Sequence, residues 1–239
     1  MFSLVVPFHS DVGRLGETIR LIKCEASAWH VEETLLCHNG GPLSDAARRQ
    51  IEELITPGMS LLHTDSRGIG AGYRLGIENA RAQRVVLSAS DLPFHFSDIE
   101  SLLRVAPAGP MPRVAIGSKL HPQSDIGAYG IKRRAFSYAF FAYRRLLFGA
   151  GTPRDTQGTI LIETELARQL LPRVTSDDFR FSLELVVQAI RAGVRPVEVP
   201  VKFVPNESDD VSSVSAVRDG WRMLRESWRL RSEMRNEGR

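Results

Sequence analysis

The stretch VVLSASDLPF, residues 85–94, sets an apolar run, three small residues, one carboxylate and, two residues on, a proline. Val85, Val86 and Leu87 have the character of a strand buried on both faces. Pro93 lacks a backbone donor and cannot continue such a strand, so Asp91 stands on a loop at its carboxyl end. The full run covers 84–88, and four more of the same kind lie at 2–7, 33–37, 59–63 and 113–117. Between them, 12–23, 44–54, 71–82 and 97–103 carry apolar residues at helical spacing. Strand and helix in alternation predict an α/β fold: a mixed, mainly parallel sheet flanked by helices on both faces. In open sheets of this type ligands bind beyond the carboxyl ends of the strands, which is where Asp91 falls.

With 239 residues, 43% of them hydrophobic and 25% charged, the chain can bury a large core as one domain with a small appendage. The division expected is a main domain over 1–210 and a basic helical tail over 211–239, packed on the domain or on a membrane surface. The formal net charge is only +3. Arg and Lys nevertheless concentrate between Lys132 and Arg145 and again from Arg218 onward, which favours anionic partners locally. Cys24 and Cys37 show neither paired spacing nor a nearby His-Cys cluster, a pattern of a reducing compartment. The opening MFSLVVPFHS has no basic leader region, and no apolar run approaches the ~20 residues that span a bilayer. The expected location is cytoplasmic, peripheral to the inner membrane face at most; nucleic acid is not an expected partner, and a homodimer stays open.

Four loops follow the strands: PFHSD (7–11), HNGG (38–41), DSRGIGAG (65–72) and SASDLPF (88–94). They are expected to meet on one edge of the sheet. Gly68, Gly70, Gly72 and Gly76 either let backbone approach an anion at a helix N-terminus or allow tight helix packing. Tyr73 stands where a dinucleotide fingerprint needs its third glycine, and no GxxxxGK phosphate loop occurs. In the second half, GIKRRAFSYAFFAYRRLLFG (130–149) puts Phe136, Phe140, Tyr143 and Leu147 at helical spacing with Arg133, Arg134, Arg144 and Arg145 toward its ends. Such a helix packs into a core or lies in a membrane interface with its arginines on lipid phosphates. RDTQGTILIE (154–163), a helix over 181–193 and a strand-like 195–204 follow. A C-terminal amphipathic helix carries Val217, Trp221, Leu224 and Trp228 on one face.

The order of these segments resembles that of family 2 glycosyltransferases with the GT-A (Rossmann-like) fold, in the branch of polyprenyl-phosphate (dolichyl-phosphate) mannosyl- and glucosyltransferases. The likeness covers about residues 3–217. LVVPFHSDVGRLGETI resembles the family's opening strand and loop, GIGAGYRLGIENA its glycine-alanine helix, and SASDLPFHFSDIESLL the segment holding its DxD motif. IGSK, RDTQGTILI, FRFSLELVVQAIRAG and VEVPVKF follow in the family's order.

The resemblance implies an inverting transferase that moves a sugar from a UDP- or GDP-linked donor to a polyprenyl phosphate, with Mg²⁺ or Mn²⁺ as cofactor. It places Pro7, His9, Asp11, His38, Asn39, Gly70 and Ser90 at the donor nucleotide. Asp91 would hold the metal, Asp155 and Gln157 would serve catalysis beside the sugar, and Lys119, Arg133 and Arg134 would meet the acceptor phosphate. The chain departs from the pattern where Ala89 replaces the first DxD carboxylate and His38-Asn39 an acidic pair beside the base. Ser182, Ser212-Ser213 and Lys119 are further departures. A lipid phosphate is already an anionic nucleophile, so such an acceptor needs no general base. The alternatives are a catalytically silent or donor-altered protein of the same fold with a binding role, and transfer to a soluble acceptor. A sugar nucleotidyltransferase ranks lower, since its glycine-rich N-terminal signature is absent.

Overall fold

A computed structural model describes residues 1–10, 12–26, 28–90, 96–105, 111–127, 130–202 and 216–236, with the side chains of 132, 133, 216–222, 235 and 236 outside that description. The strands are β1 (Phe2–Phe8), β2 (Val31–Asn39), β3 (Met59–Thr64), β4 (Arg84–Leu87), β5 (Val114–Ser118), β6 (Ile160–Glu163) and β7 (Val197–Pro200). They form one sheet in the order β3-β2-β1-β4-β6-β5-β7. All neighbours are parallel except β6, which runs antiparallel to both β4 and β5. The mainly parallel α/β sheet expected from the sequence is therefore present.

Alternate side chains of the central strands feed two cores, as a period of two requires. Val5, Val85, Leu87, Ile116, Ile160 and Ile162 point into one. Leu4, Val6, Val86, Ala115 and Leu161 point into the other. Helices α3 (Ile69–Asn79), α6 (Thr164–Leu170) and α7 (Arg180–Arg191) contribute to the first core; α1 (Val12–Glu25), α2 (Asp45–Glu52) and α4 (Ser97–Leu103) contribute to the second.

Helix α3 starts two residues before the expected 71, so Gly70, Gly72 and Gly76 lie inside it. Glycine is poor in a helix interior, and contact explains its use here. A methyl group at Gly72 would sit 2.6 Å from Pro7 Cβ, and one at Gly76 would sit 2.3 Å from Val5 Cγ1. The helix thus lies flush on β1.

Helix α5 (Ile131–Phe148) and the C-terminal α8 (Ala216–Asn236) occupy the surface. Leu230 and Met234 of α8 pack on Leu183 and Val187 of α7, and the Tyr143 hydroxyl of α5 donates to the Leu224 carbonyl at 3.0 Å. The expected 210/211 division falls outside the described residues. Among the described residues no helix is long and apolar enough to cross a membrane.

Candidate active site

Because β4 and β5 both run antiparallel to β6, they are parallel to each other. The carboxyl ends of β1, β2, β3, β4 and β5 therefore share one edge with the start of β6. From β2 to β5 that edge spans four interstrand steps, about 19 Å. Two groups of polar side chains stand at its ends, with the β4 terminus between them.

The first group is built on β1, β2 and β3. His38 is buried at the end of β2 beside His63 of β3. Its Nε2 donates to the His9 carbonyl at 2.8 Å, and its Nδ1 lies 2.9 Å from His63 Nδ1. His9 is exposed, and its Nδ1 donates to the Asn39 carbonyl at 2.5 Å. His63 Nε2 lies 3.1 Å from Asp65 Oδ1. Burial, with the nearby positive His63, His9 and Arg48, holds His38 below the usual histidine range despite its bond to His9, so His38 is neutral. Asn39 is buried, and Pro7 lies under α3. Of this group the sequence pointed to Pro7, His9, His38 and Asn39 but not to His63 or Asp65. The signal for them was register: a histidine recurs where each of the first three strands ends.

Between the groups, the Thr18 hydroxyl of α1 donates to the Ser90 carbonyl at 2.6 Å and fixes the chain at the end of β4. Asp91 and Asp11, assigned above to metal and nucleotide, lie outside the described residues, as does the side chain of Arg133. A methyl group at Gly70 would lie 2.6 Å from Phe181 Cβ and 2.8 Å from the Asp177 carbonyl carbon. Close packing of α3 against the segment before α7 accounts for this glycine.

The second group surrounds the Arg154–Gln157 turn. Asp155 is buried; its Oδ1 accepts from the Gln157 amide at 2.9 Å and its Oδ2 from the Lys119 amide at 3.2 Å. Lys119 Nζ stands 3.7 Å from the same Oδ2. Gln157 Nε2 donates to the Phe179 carbonyl at 3.1 Å. The turn is held from two sides. Glu198 of β7 accepts from the amides of Arg154 and Asp155 at 2.9 and 3.3 Å. Arg144 of α5 donates to Thr156 Oγ1 at 2.6 Å and to the Arg154 carbonyl at 2.7 Å.

Arg144 corrects an expectation. Read from the sequence as a cation for lipid phosphates, it is only 2% exposed, with its guanidinium over the Phe140 ring. Burial lowers its pKa, opposed by the negative Asp155 and Glu198. Arg134 and Arg145 do reach the surface. The edge thus brings together Pro7, His9, His38, Asn39 and Ser90 on one side and Lys119, Asp155 and Gln157 on the other.

No three His, Cys, Asp or Glu side chains converge as a metal cage among the described residues. Asp91, the carboxylate the sequence assigned to a metal, is an oxygen donor of the kind that hard cations such as Mg²⁺ take in ones and twos, completed by phosphate oxygens and water.

No family model matches the chain. An undecaprenyl-phosphate mannosyltransferase of Micrococcus luteus is 28% identical over 211 residues, covering 85% of this chain and 83% of that protein. The M. tuberculosis glucosyl-3-phosphoglycerate synthase superposes with a TM-score of 0.61 at 14% identity, over 94% of this chain and 79% of that one. The chain has the GT-A glycosyltransferase fold. A mannosyltransferase of Pyrobaculum calidifontis, solved with GDP-Man and Mn²⁺, shares the fold at a TM-score of 0.54 and 14% identity, over 86% of this chain and 57% of that one. The GT-A likeness and the polyprenyl-phosphate transferase relatives agree with the resemblance carried by the sequence.

Proposed function

We propose that the protein transfers a sugar from a nucleotide diphosphate donor to a polyprenyl phosphate. The observation that carries this reading is the edge itself: a run of polar side chains at the ends of β1–β3, the β4 terminus leading into Asp91, and Lys119, just after β5, paired with the buried Asp155. The mannosyltransferase relative has the matching acceptor in its name.

In this reading the base lies at His9, His38 and Asn39, and the diphosphate lies over the end of β4. A Mg²⁺ or Mn²⁺ held by Asp91 and phosphate oxygens would offset the charge that develops on the leaving diphosphate. Asp155 holds Lys119 at the acceptor side, where its ammonium meets the lipid phosphate. That phosphate attacks the sugar carbon without prior loss of a proton, so alignment and charge neutralisation carry the rate. Arg133 and Arg134, at the start of α5, are the further cations for this phosphate.

The same helix offers the lipid contact. Ile131, Tyr138 and Leu146 are exposed by 86%, 49% and 83%, at a spacing that puts them on one face with Ala135 and Ala142, and Arg134 and Arg145 are exposed beside them. An amphipathic helix edged by cations suits an anionic membrane surface.

A radiolabelled donor screen with a short polyprenyl phosphate, and with soluble sugars as the other acceptor class, tests the reading. Turnover with at least one UDP- or GDP-linked sugar, dependent on the lipid phosphate, is expected. Product on soluble sugars alone would overturn the acceptor. Ala89 favours a second reading, a protein that binds the donor without transfer; nucleotide binding with no turnover in either wild type or Ala89→Asp would establish it.

A further inference from the structure

The hydrogen bonds at the ends of β1, β2 and β3 fix where the protons are. The His9 carbonyl can only accept, so His38 Nε2 carries a proton; with His38 neutral, its Nδ1 is a bare lone pair. The 2.9 Å contact between the two Nδ1 atoms then requires the proton on His63. A bond from His63 Nε2 to the Asp65 carboxylate requires a second proton on the same ring. Both bonds of His63 exist together only in the imidazolium.

We propose that His63 and Asp65 belong to the donor site and that His63 is its proton-dependent positioning residue, locking His38 and, through His38, the His9 carbonyl. The proposal rests on the reading that the nucleotide base docks at the ends of β1–β3. When His63 loses a proton, either the bond to Asp65 or the bond to His38 breaks. The edge loses its cation and one of its fixed contacts at once.

The charged groups around the histidines are mostly cationic, which suits an anionic ligand. From β1 comes His9, from α2 Arg48, which acts on His38 through space, and from the loop after β3 Arg67, whose side chain lies across Gly40. Glu52 of α2 is engaged by Arg48 at 3.8 Å. Asp65 faces His63 directly, though 93% of its side chain is exposed. Asp11 lies outside the described residues. The rings of His63 and His38 are 5.1 Å apart at 19°, and His38 and His9 are within 8° of parallel, so the three strands present their histidines as one layered unit.

Histidine is the side chain whose charge changes in the physiological range, and the sign follows. The fixed edge exists on the acid side of His63 titration and is lost as pH rises through it. Calorimetric titration of UDP and of GDP, each with Mg²⁺, is made from about pH 5.5 to about pH 8.5 on wild type, His63→Gln and Asp65→Asn.

One of the two nucleotides should lose roughly 3-fold to 10-fold in affinity across that range in wild type, the equivalent of one net hydrogen bond, and His63→Gln should not show that loss. The nucleotide's own titration is common to both proteins, so their difference isolates His63. Asp65→Asn, which replaces the charged acceptor of His63 Nε2 with a neutral amide, should narrow the wild-type loss. Histidine-labelled NMR on the free protein should show His63 doubly protonated while His38 is still neutral. Parallel affinity profiles in wild type and His63→Gln, or a neutral His63 at the acid end, would overturn the proposal while leaving the donor reading intact. Absence of UDP and GDP binding at every pH would remove both.

Discussion

The two ends of the sheet edge hold their polar groups by opposite means. At β1–β3 the polar groups are imidazoles and strand-end carbonyls joined by single hydrogen bonds, with Asp65 in solvent. At β5–β7 the Arg154–Gln157 turn is clamped between a buried arginine and Glu198, and Asp155 spends both oxygens on backbone amides. The first end can change its charge without unfolding anything. The second cannot, because a buried charge that loses its partner costs several kcal/mol. An adjustable end at β1–β3 and a rigid end at β5–β7 follow from that contrast.

The contrast breaks most visibly at Arg144. Arg144→Ala strips the clamp and removes the buried cation that acts on both Asp155 and Glu198, an expected loss of about 3–5 kcal/mol in urea unfolding. Turnover should fall with it, and an unchanged unfolding midpoint would show the turn to be self-supporting.

At the other end the expected effect is smaller and pH-dependent. His38 is held below the usual histidine value of 6.5 by burial, so it lends stability above that value which is lost as pH falls through its lower folded value. His38→Asn should be about 1 kcal/mol less stable than wild type at neutral pH. The two should converge in acid. A gap that stays constant with pH would remove the neutral imidazole from the account.

The smallest effect is expected at Asp98 of α4, a buried carboxylate that accepts from the Thr159 hydroxyl and from the Ile99 amide. Burial raises its pKa above the ordinary 3.8, against the two hydrogen bonds. A raised carboxyl lends its full stability below 3.8 and loses it as pH rises through the folded value. Asp98→Asn keeps an acceptor for Ile99 and offers an amide to Thr159 Oγ1, so it should match wild type within about 0.5 kcal/mol in acid and gain on it toward neutral pH. A large loss at all pH values would mean that the charged carboxylate is what Thr159 requires.

Much of the fold was legible because the central strands state it twice. Val85, Val86 and Leu87 feed both cores from one short run, and Val114, Ala115 and Ile116 do the same. Helix α6 was missed because TELARQL follows β6 with no turn residue between: Glu163 ends the strand and Thr164 starts the helix. The direction of β6 is invisible locally, since a short apolar run carries no mark of its direction and only its partners Arg84–Leu87 and Val114–Ile116 orient it. In the site, His9, His38 and Asn39 were legible as loop residues after strands. His63 was not, because only the β2–β3 register reveals that it faces His38. Arg144 was misplaced because a pair of arginines reads as surface, and the partners that bury one of them, the Arg154 carbonyl and the Thr156 hydroxyl, lie in a different segment.

The reversed strand has a consequence for how the protein is made. Strands β1 to β4 emerge from the ribosome in sequence and can pair as they appear, whereas β5 has no adjacent partner until β6 slots between it and β4. Long-range pairings of this kind form late, because loop closure precedes the contacts that repay it. The β1–β4 half of the edge would then mature while the β5–β6 half is still chain. Pulse-labelled amide exchange during refolding should find Leu35 and Leu36 protected before Ala115 and Ile116, and simultaneous protection would mean that the sheet closes as a single event.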